Sequence, residues 1–525
     1  MASSSTHMTV LSAEKRQLFQ RLLRERGIAS TNNATIPRCS RTQPIPLSSA
    51  QQRMWFLDQL APGDSAYNDC YAIRFSGELG VAVLEQALNE VVRRHESLRT
   101  TFGSLEGRPI QVINPVEGLK LPVLDLQQEA ETDRDAEIQR WAIEESKQPF
   151  ALARCPLFRV KLMRLDADDH VLLLVIHHMI FDGQSFLVFF QELGAVYEAF
   201  RLGQTSPLPE LDVQYADYAA WEQGRLDGEA MLTQLSYWKQ QLEGRLSMSE
   251  LPTDFPRQDV QTFRGTGKDL KLPKPLTEAL AALGNREDAT LFMVLLSAFR
   301  IVVCHYTSWE EILLGFPVAN RSQPEAKGLI GLFVNTLPLR ADLSGDPSFR
   351  DLVARTRKAC LGAYAHQELP LEMLVKELKL DRDLSRNPLF QMWVLQDTVC
   401  QPIELPALTM RHLTVEYGVT RFDLDLWIIE HAAGRRAQAQ SEELVLRLQY
   451  NTDLFRAATI AKMLHHLEVV LRHAVSDPDV TLSMLKETLT AADKREQLIE
   501  RRDRKLGGSK MLKNIRRKSI RRQPI

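Results

Sequence analysis

Apolar positions recur along this chain with two periods, about 3.6 residues and two, and their succession predicts alternating helices and strands. Leu11, Leu18, Leu22 and Leu23 fall roughly on one side of a short helix from Leu11 to Gly27, which the polar stretch Ser30 to Arg41 ends. Leu84, Leu88, Val91 and Val92 predict a helix from Val81 to about His95. Phe158-Arg159-Val160-Lys161-Leu162 alternates as a half-buried strand, and Asp166 to Asp169 supplies turn chemistry. The unbroken apolar run Val171 to Ile176 reads as a buried partner strand. A helix from about Ser185 to Phe200 follows, with Ser185 as a plausible N-cap.

The second half repeats this plan. A strand opens at Arg421-Phe422-Asp423-Leu424-Asp425-Leu426, and the polar, Gly-containing segment Ala432 to Ser441 makes a loop. A strand from Leu444 to Gln449 then leads through YNTDLF into a helix from Ala457 to about His473. Setting Asp182 over Asp453 matches strand, motif and helix in both halves, with Gln449 opposite His178. The expectation is a duplicated α/β unit with one active site in the groove between two lobes.

Candidate chemistry concentrates in His177-His178-Met179-Ile180-Phe181-Asp182-Gly183, at the junction of the buried strand and the helix. A histidine there is held on rigid backbone yet can face a cavity, and imidazole suits proton transfer near neutral pH. Asp182 stands where it can fix local geometry, and Gly183 lets the backbone pass closely or present an N–H to developing negative charge. His465-His466 serves as a control, a mid-helix pair with no glycine turn after it.

Composition adds limits. The chain of 525 residues is 44% hydrophobic and 25% charged, enough for two or three cores. Val171 to Ile176 is far too short to cross a bilayer. The N-terminus MASSSTHMTV lacks the pattern of a secretory signal and resembles an expression scar ahead of Met8. Six cysteines without CxxC spacing predict free, mostly buried thiols in a reducing cytoplasm, with no disulfide framework and no metal site. From Arg501 to Ile525 eleven Lys/Arg face one Asp, so a tail of +10 sits on a body of −12 within the total of −2. That pattern predicts a solvated linker and excludes nucleic acid as the main partner.

Further segments, in order, carry a resemblance. PLSSAQQRMWFLDQL (Pro46 to Leu60), RHESLRTTF (Arg94 to Phe102), HHMIFDG, YADYAAWE (Tyr215 to Glu222), IGLFVNTLPLR (Ile330 to Arg340), HQELPLEMLV, RNPLFQ and RFDLDL resemble the motifs of nonribosomal peptide synthetase condensation domains. These belong to the chloramphenicol-acetyltransferase-like superfamily, and the resemblance covers about residues 40 to 480. It implies an α/β fold of two such lobes in a pseudo-dimeric V with a tunnel at their interface: 40–215 as N-terminal lobe, 216–490 as C-terminal lobe, 1–39 as leader and 491–525 as basic tail.

The resemblance also implies roles. His178 acts as base or as orienting group for an attacking amine, and His177 supports the strand end. Asp182 is structural, with Arg99 as its ion-pair partner. Asn335 is a weaker candidate for positioning substrate in the channel, while Trp55, Trp221 and Phe333 belong to the core. The reaction implied is amide formation between donor and acceptor thioesters on the phosphopantetheine arms of two peptidyl carrier domains, with no cofactor bound to the chain itself and with neighbouring synthetase domains reached through the tail. The first two motifs look most like those of domains accepting an L-configured donor. Intact histidines argue against heterocyclization, Phe186 after Ser185 against epimerization, and the absence of DFGWG against plant-type acyltransferases. An ester-forming acyltransferase and a non-catalytic platform recruiting tailoring enzymes are the alternatives.

Overall fold

A computed structural model describes residues 35–244, 251–380, 383–398, 400–430 and 444–495. The expected Leu11–Gly27 helix, the loop 432–441 and the tail from 501 lie outside those residues.

The apolar run ahead of the histidines does form a strand, buried along almost its whole length because it lies inside a sheet with layers on both faces. The first large sheet has the order β12–β13–β2–β7–β6–β5, with β2 at Asn68–Gly77, β5 at Val123–Asp125, β6 at Phe158–Asp166, β7 at Asp169–His177, β12 at Ile403–Leu405 and β13 at Leu408–Leu413. The second has the order β10–β9–β11–β14–β15–β8, with β8 at Gly265–Leu272, β9 at Glu311–Val318, β10 at Asn335–Asp342, β11 at Met392–Thr398, β14 at Leu424–Glu430 and β15 at Leu444–Asn451. A small sheet joins β1 (Ile45–Pro46), β4 (Arg108–Ile113) and β3 (Thr100–Leu105).

The duplication is visible in the ladders. Along β2–β7–β6–β5 the pairings run antiparallel, antiparallel, parallel, and β8–β15–β14–β11 repeats that order. Register places the halves differently from the sequence expectation. Asn68 faces His177 as Gly265 faces Asn451, and Phe158 faces Ile176 as Leu424 faces Tyr450. The helix caps agree, since Asp182 caps Gly183–Arg201 and Arg456 caps Ala457–Ser476. Arg456, not Asp453, therefore stands for Asp182, and Thr452, not Gln449, stands for His178. Asp453 misled because it is consumed in a turn of its own, accepting from Thr262 Oγ1 (2.6 Å) and Arg264 Nε (2.9 Å).

Each lobe has its own apolar core, but the lobes exchange chain. β13 pairs with β2 in register from Leu408↔Gly77 to Leu413↔Ala72, so a strand from far along the sequence completes the first sheet. Residues Ala326 to Phe333 also bury their apolar side chains in the first core, as do Tyr215, Tyr218 and Ala219. The expected boundary between 215 and 216 thus cuts through the first core. Phe333 is fully buried, while Trp55 and Trp221 pack partly buried against the same core. Cys70, Cys304 and Cys360 are buried, Cys39 and Cys400 half-buried, and Cys155 exposed, all as free thiols. Among the described residues no single helix is long and apolar enough to cross a membrane.

The exchange leaves little slack at Gly331, where an added Cβ would overlap the ring of buried Tyr215. Tyr215 cannot step aside, because its hydroxyl donates to Leu332 O (2.6 Å) and shares a hydrogen bond with Ser48 Oγ (2.8 Å). Gly331→Ala is expected to cost about 1–3 kcal/mol by overpacking, read as a shift of the denaturation midpoint. Gly103→Ala, where a Cβ meets nothing, is expected to leave that midpoint unchanged or slightly raised.

Candidate active site

The strand β7 delivers its last residue, His177, to a single turn of 3-10 helix, His178–Ile180. His177 points inward, and its Nδ1 accepts the Met179 N–H at 3.1 Å. Burial, then the neighbouring His178, lowers its pKa to about 3, so it stays neutral and serves the turn. His178 is only partly buried, with 13% of its side chain exposed. Its backbone N–H donates to Tyr67 O at 2.8 Å, tying it to the neighbouring strand.

The imidazole of His178 is clamped on one side. Nδ1 lies 2.7 Å from Asp69 Oδ2, and Asp69 Oδ1 accepts from Arg421 Nη2 at 2.7 Å. Arg421 Nε donates to Ala66 O at 3.1 Å, and its guanidinium lies over the Tyr67 ring. Burial alone would raise the Asp69 carboxyl, but the charge of Arg421 and the hydrogen bonds from His178 and Arg421 overcome it and hold the group well below the usual carboxylate range. A permanent carboxylate can only accept, so it places a ring proton on Nδ1, and in the neutral ring the lone pair is then on Nε2. Among the described residues nothing bonds Nε2.

A second arginine braces the far side of the motif. Asp182 Oδ1 accepts from Ser185 N (2.7 Å), Ser185 Oγ (2.7 Å) and Arg321 Nη2 (3.0 Å), while Oδ2 accepts from Phe333 N (3.0 Å). Asp182 is therefore the helix N-cap, a role expected of Ser185. Arg321 Nη1 donates to Ala326 O and Leu329 O, and its guanidinium stacks on Phe333 at 4.0 Å. The expected Asp182–Arg99 pair does not form. Arg99 ends a short turn leading into β3, where its Nη1 donates to Asn114 O at 2.7 Å and its nearest acid is Glu96 at 3.9 Å. The RHESLRTTF residues that meet a buried acid are Arg94 and His95, both on Glu192 of the helix Gly183–Arg201.

Gly183 opens that helix, where the first N–H groups have no intrahelical partner, and a Cβ on it would meet only open space. Asn335 does not reach toward a substrate. Its Nδ2 donates to Gln367 O and Leu369 O, and its Oδ1 accepts from Thr336 N and Leu371 N, which fills the capacity of a buried amide. Asp425, in the same segment as Arg421, is buried with its pKa pushed up to about 7 by desolvation, and Thr420 Oγ1 donates to it at 2.7 Å. A cleft of about 480 Å³ opens between Gln139 of the first lobe and Asp269, Lys271, Val445 and Arg447 of the second sheet, with Glu416 of the crossing loop between them. The control histidines differ from each other: His465 is exposed and His466 wholly buried.

Residues 41–499 match the family profile described as Condensation domain. The chain belongs to the condensation-domain family. This condensation domain is 40% identical over 460 residues to chondramide synthase cmdD of Chondromyces crocatus, a match covering 87% of the chain and 12% of that protein. It is 35% identical over 470 residues to tyrocidine synthase 3 of Brevibacillus parabrevis, covering 89% of the chain and 7% of that protein. The chain thus spans about a tenth of the length of these two relatives. Among solved structures, the X-domain from teicoplanin biosynthesis superposes with a TM-score of 0.77 at 29% identity, covering 86% of this chain and 99% of that one. The first condensation domain of the calcium-dependent antibiotic synthetase, at 22% identity and a TM-score of 0.69 over 84% of this chain and 98% of that one, shares the fold.

Two experiments probe the braces of this condensation domain. Asp182→Ala and Arg321→Ala are each expected to lose about 3–5 kcal/mol of stability, because each strands a buried charge, and the double variant to lose less than the sum. Arg99→Ala should cost no more than about 1 kcal/mol, the scale of one backbone hydrogen bond; chemical denaturation reads all four. Asp69→Asn keeps the shape of the clamp but removes its charge. It is expected to leave the circular dichroism spectrum unchanged while weakening the grip of Arg421, seen as faster amide exchange at residues 419–423.

Proposed function

We propose that this condensation domain forms an amide bond between a donor acyl or aminoacyl thioester and the amine of an acceptor aminoacyl thioester. Each substrate rides on the phosphopantetheine arm of a separate carrier domain, with the L-configured donor as the preferred subtype. The observation carrying this reading is the half-used imidazole of His178, whose Nδ1 is fixed by Asp69 while Nε2 stays unspent. The acceptor nitrogen attacks the donor carbonyl carbon, the carbon–sulfur bond breaks, and the donor arm leaves as a thiol. One proton must leave the nitrogen, and Nε2 of His178 takes it or orients the amine that loses it. Thioesters are already activated, so holding two tethered groups together supplies much of the rate. Gly183, at the exposed start of the helix that follows the histidine, has open space where a Cβ would stand.

A second reading has its own support. The teicoplanin X-domain has also been solved in complex with OxyB, which favours a recruiting platform over a catalyst. The complete HHMIFDG with its two arginine braces favours catalysis, since a docking surface has no use for a clamped imidazole.

The test is a product assay with two loaded carriers, read by mass spectrometry. Wild type is expected to release amide product, and His178→Ala to lose nearly all turnover with an unchanged melting temperature, because the side chain is not part of a core. His465→Ala, an exposed substitution, should stay within a few-fold of wild type. Product formation by His178→Ala at the wild-type rate would remove the basis for the assignment, and wild type that makes no amide yet binds a protein like OxyB would favour the platform.

A further inference from the structure

The second lobe holds a cluster that the catalytic reading leaves unused. His305 near the end of the helix Leu291–Thr307, His466 in the helix Ala457–Ser476 and Asp493 in the helix over 482–495 bring one ligand atom each to within 4.8 Å of one another. His305 Nε2 lies 3.2 Å from Asp493 Oδ2, and His466 Nε2 lies 3.2 Å from Asp493 Oδ1. The His466 side chain is 1% exposed. Its Nδ1 shares a hydrogen bond with Tyr306 Oη at 3.1 Å, which aims Nε2 at the carboxylate. Nε2 of His466 is buried without a well-formed hydrogen bond, while Oδ1 of Asp493 is met by Lys462.

We infer that His305, His466 and Asp493 form a binding site for one divalent transition-metal cation of the zinc class, which ties three helices of the second lobe together. Two atoms coordinated at about 2.1 Å on a tetrahedral centre lie roughly 3.4 Å apart. Each imidazole already lies 3.2 Å from one oxygen of Asp493, His305 from Oδ2 and His466 from Oδ1, and the three ligand atoms, all within 4.8 Å of one another, draw together around the ion. Two imidazoles and one carboxylate suit zinc, cobalt or nickel, whereas magnesium and calcium call for more oxygen. The phenol at Nδ1 of His466 is the outer partner that fixes the orientation of a ligating imidazole. Lys462 Nζ, 2.5 Å from Asp493 Oδ1, is the competing cation. With 29% of its side chain exposed, it can swing outward when a dication takes its place. The site is assembled from residues far apart in sequence, so no ligand spacing announces it. Its consequence is structural: Asp493 belongs to the last helix described, and metal would fasten that helix to the lobe.

The experiment uses the full chain, stripped with chelator and titrated with zinc chloride by calorimetry, and with cobalt chloride by visible absorbance. One zinc per chain is expected at micromolar affinity or tighter, with a raised melting temperature and a cobalt spectrum of tetrahedral intensity that zinc displaces. Asp493→Asn and His305→Gln should each weaken binding at least tenfold while keeping the wild-type circular dichroism spectrum, and Lys462→Met should strengthen it. No stoichiometric binding by wild type would overturn the inference, leaving the cluster a hydrogen-bonded latch. Binding undiminished in both Asp493→Asn and His305→Gln would overturn it equally, placing the metal elsewhere, for instance on exposed Cys155.

Discussion

Two carboxylates flank the strand end that carries His178, and the arginine that neutralises each comes from the second half of the chain. Asp69 is met by Arg421 and Asp182 by Arg321. An unpaired buried carboxylate costs several kcal/mol, so these pairs make the local geometry of the histidine depend on how the second half folds against the first. The exchanged strand β13 and the segment 326–333 are the means by which the arginines are delivered. Lobe association and orientation of the imidazole are in this sense one event.

The duplication sharpens the point. Both halves build the same antiparallel, antiparallel, parallel ladder, and both follow it with a capped helix. At the equivalent junction the second half has Asn451 and Thr452, whose side chains turn back onto Thr262 and Arg264 and close the turn on itself. The first half instead has a histidine whose ring is held from outside. One copy of the junction was thus free to become a structural corner while the other remained a site.

What could be read from the sequence follows from how local each signal is. The run Val171 to Ile176, the turn at Asp166 to Asp169 and the helix after the motif appear as expected, because hydrophobic period and turn chemistry act over a few residues. His178 was legible for the same reason, as part of a compact seven-residue motif. Its partners were not. Asp69 stands second in β2, a strand that also carries Asn68, Arg74 and Ser76, and Arg421 precedes β14, so a charge near a strand mouth is the only hint. The resemblance pairs Arg99 with Asp182, but an arginine just ahead of β3 is committed to its own hairpin, whereas Arg321 reaches the helix cap itself. The sequence alone sets the repeat three residues out of register, because Asp453 imitates Asp182 in sequence while its carboxylate is spent on the side chains of Thr262 and Arg264 rather than on a helix N-terminus. Asn335 was placed in a channel by its motif, and four backbone bonds hold it out of one.

The central claim is that the Asp69 carboxylate, held by Arg421, accepts from Nδ1 of His178, fixes the ring proton there and leaves Nε2 as the free base. The most direct measurement is the nitrogen NMR spectrum of histidine-labelled protein near neutral pH, with the His178 signals assigned by their loss in His178→Ala. The account predicts that the neutral form of the ring carries its proton on Nδ1 with Nε2 non-protonated, shifting toward the other tautomer or to exchange averaging in Asp69→Asn and Arg421→Ala. A His178 ring protonated on Nε2 in the wild type, or a tautomer indifferent to both substitutions, would contradict it.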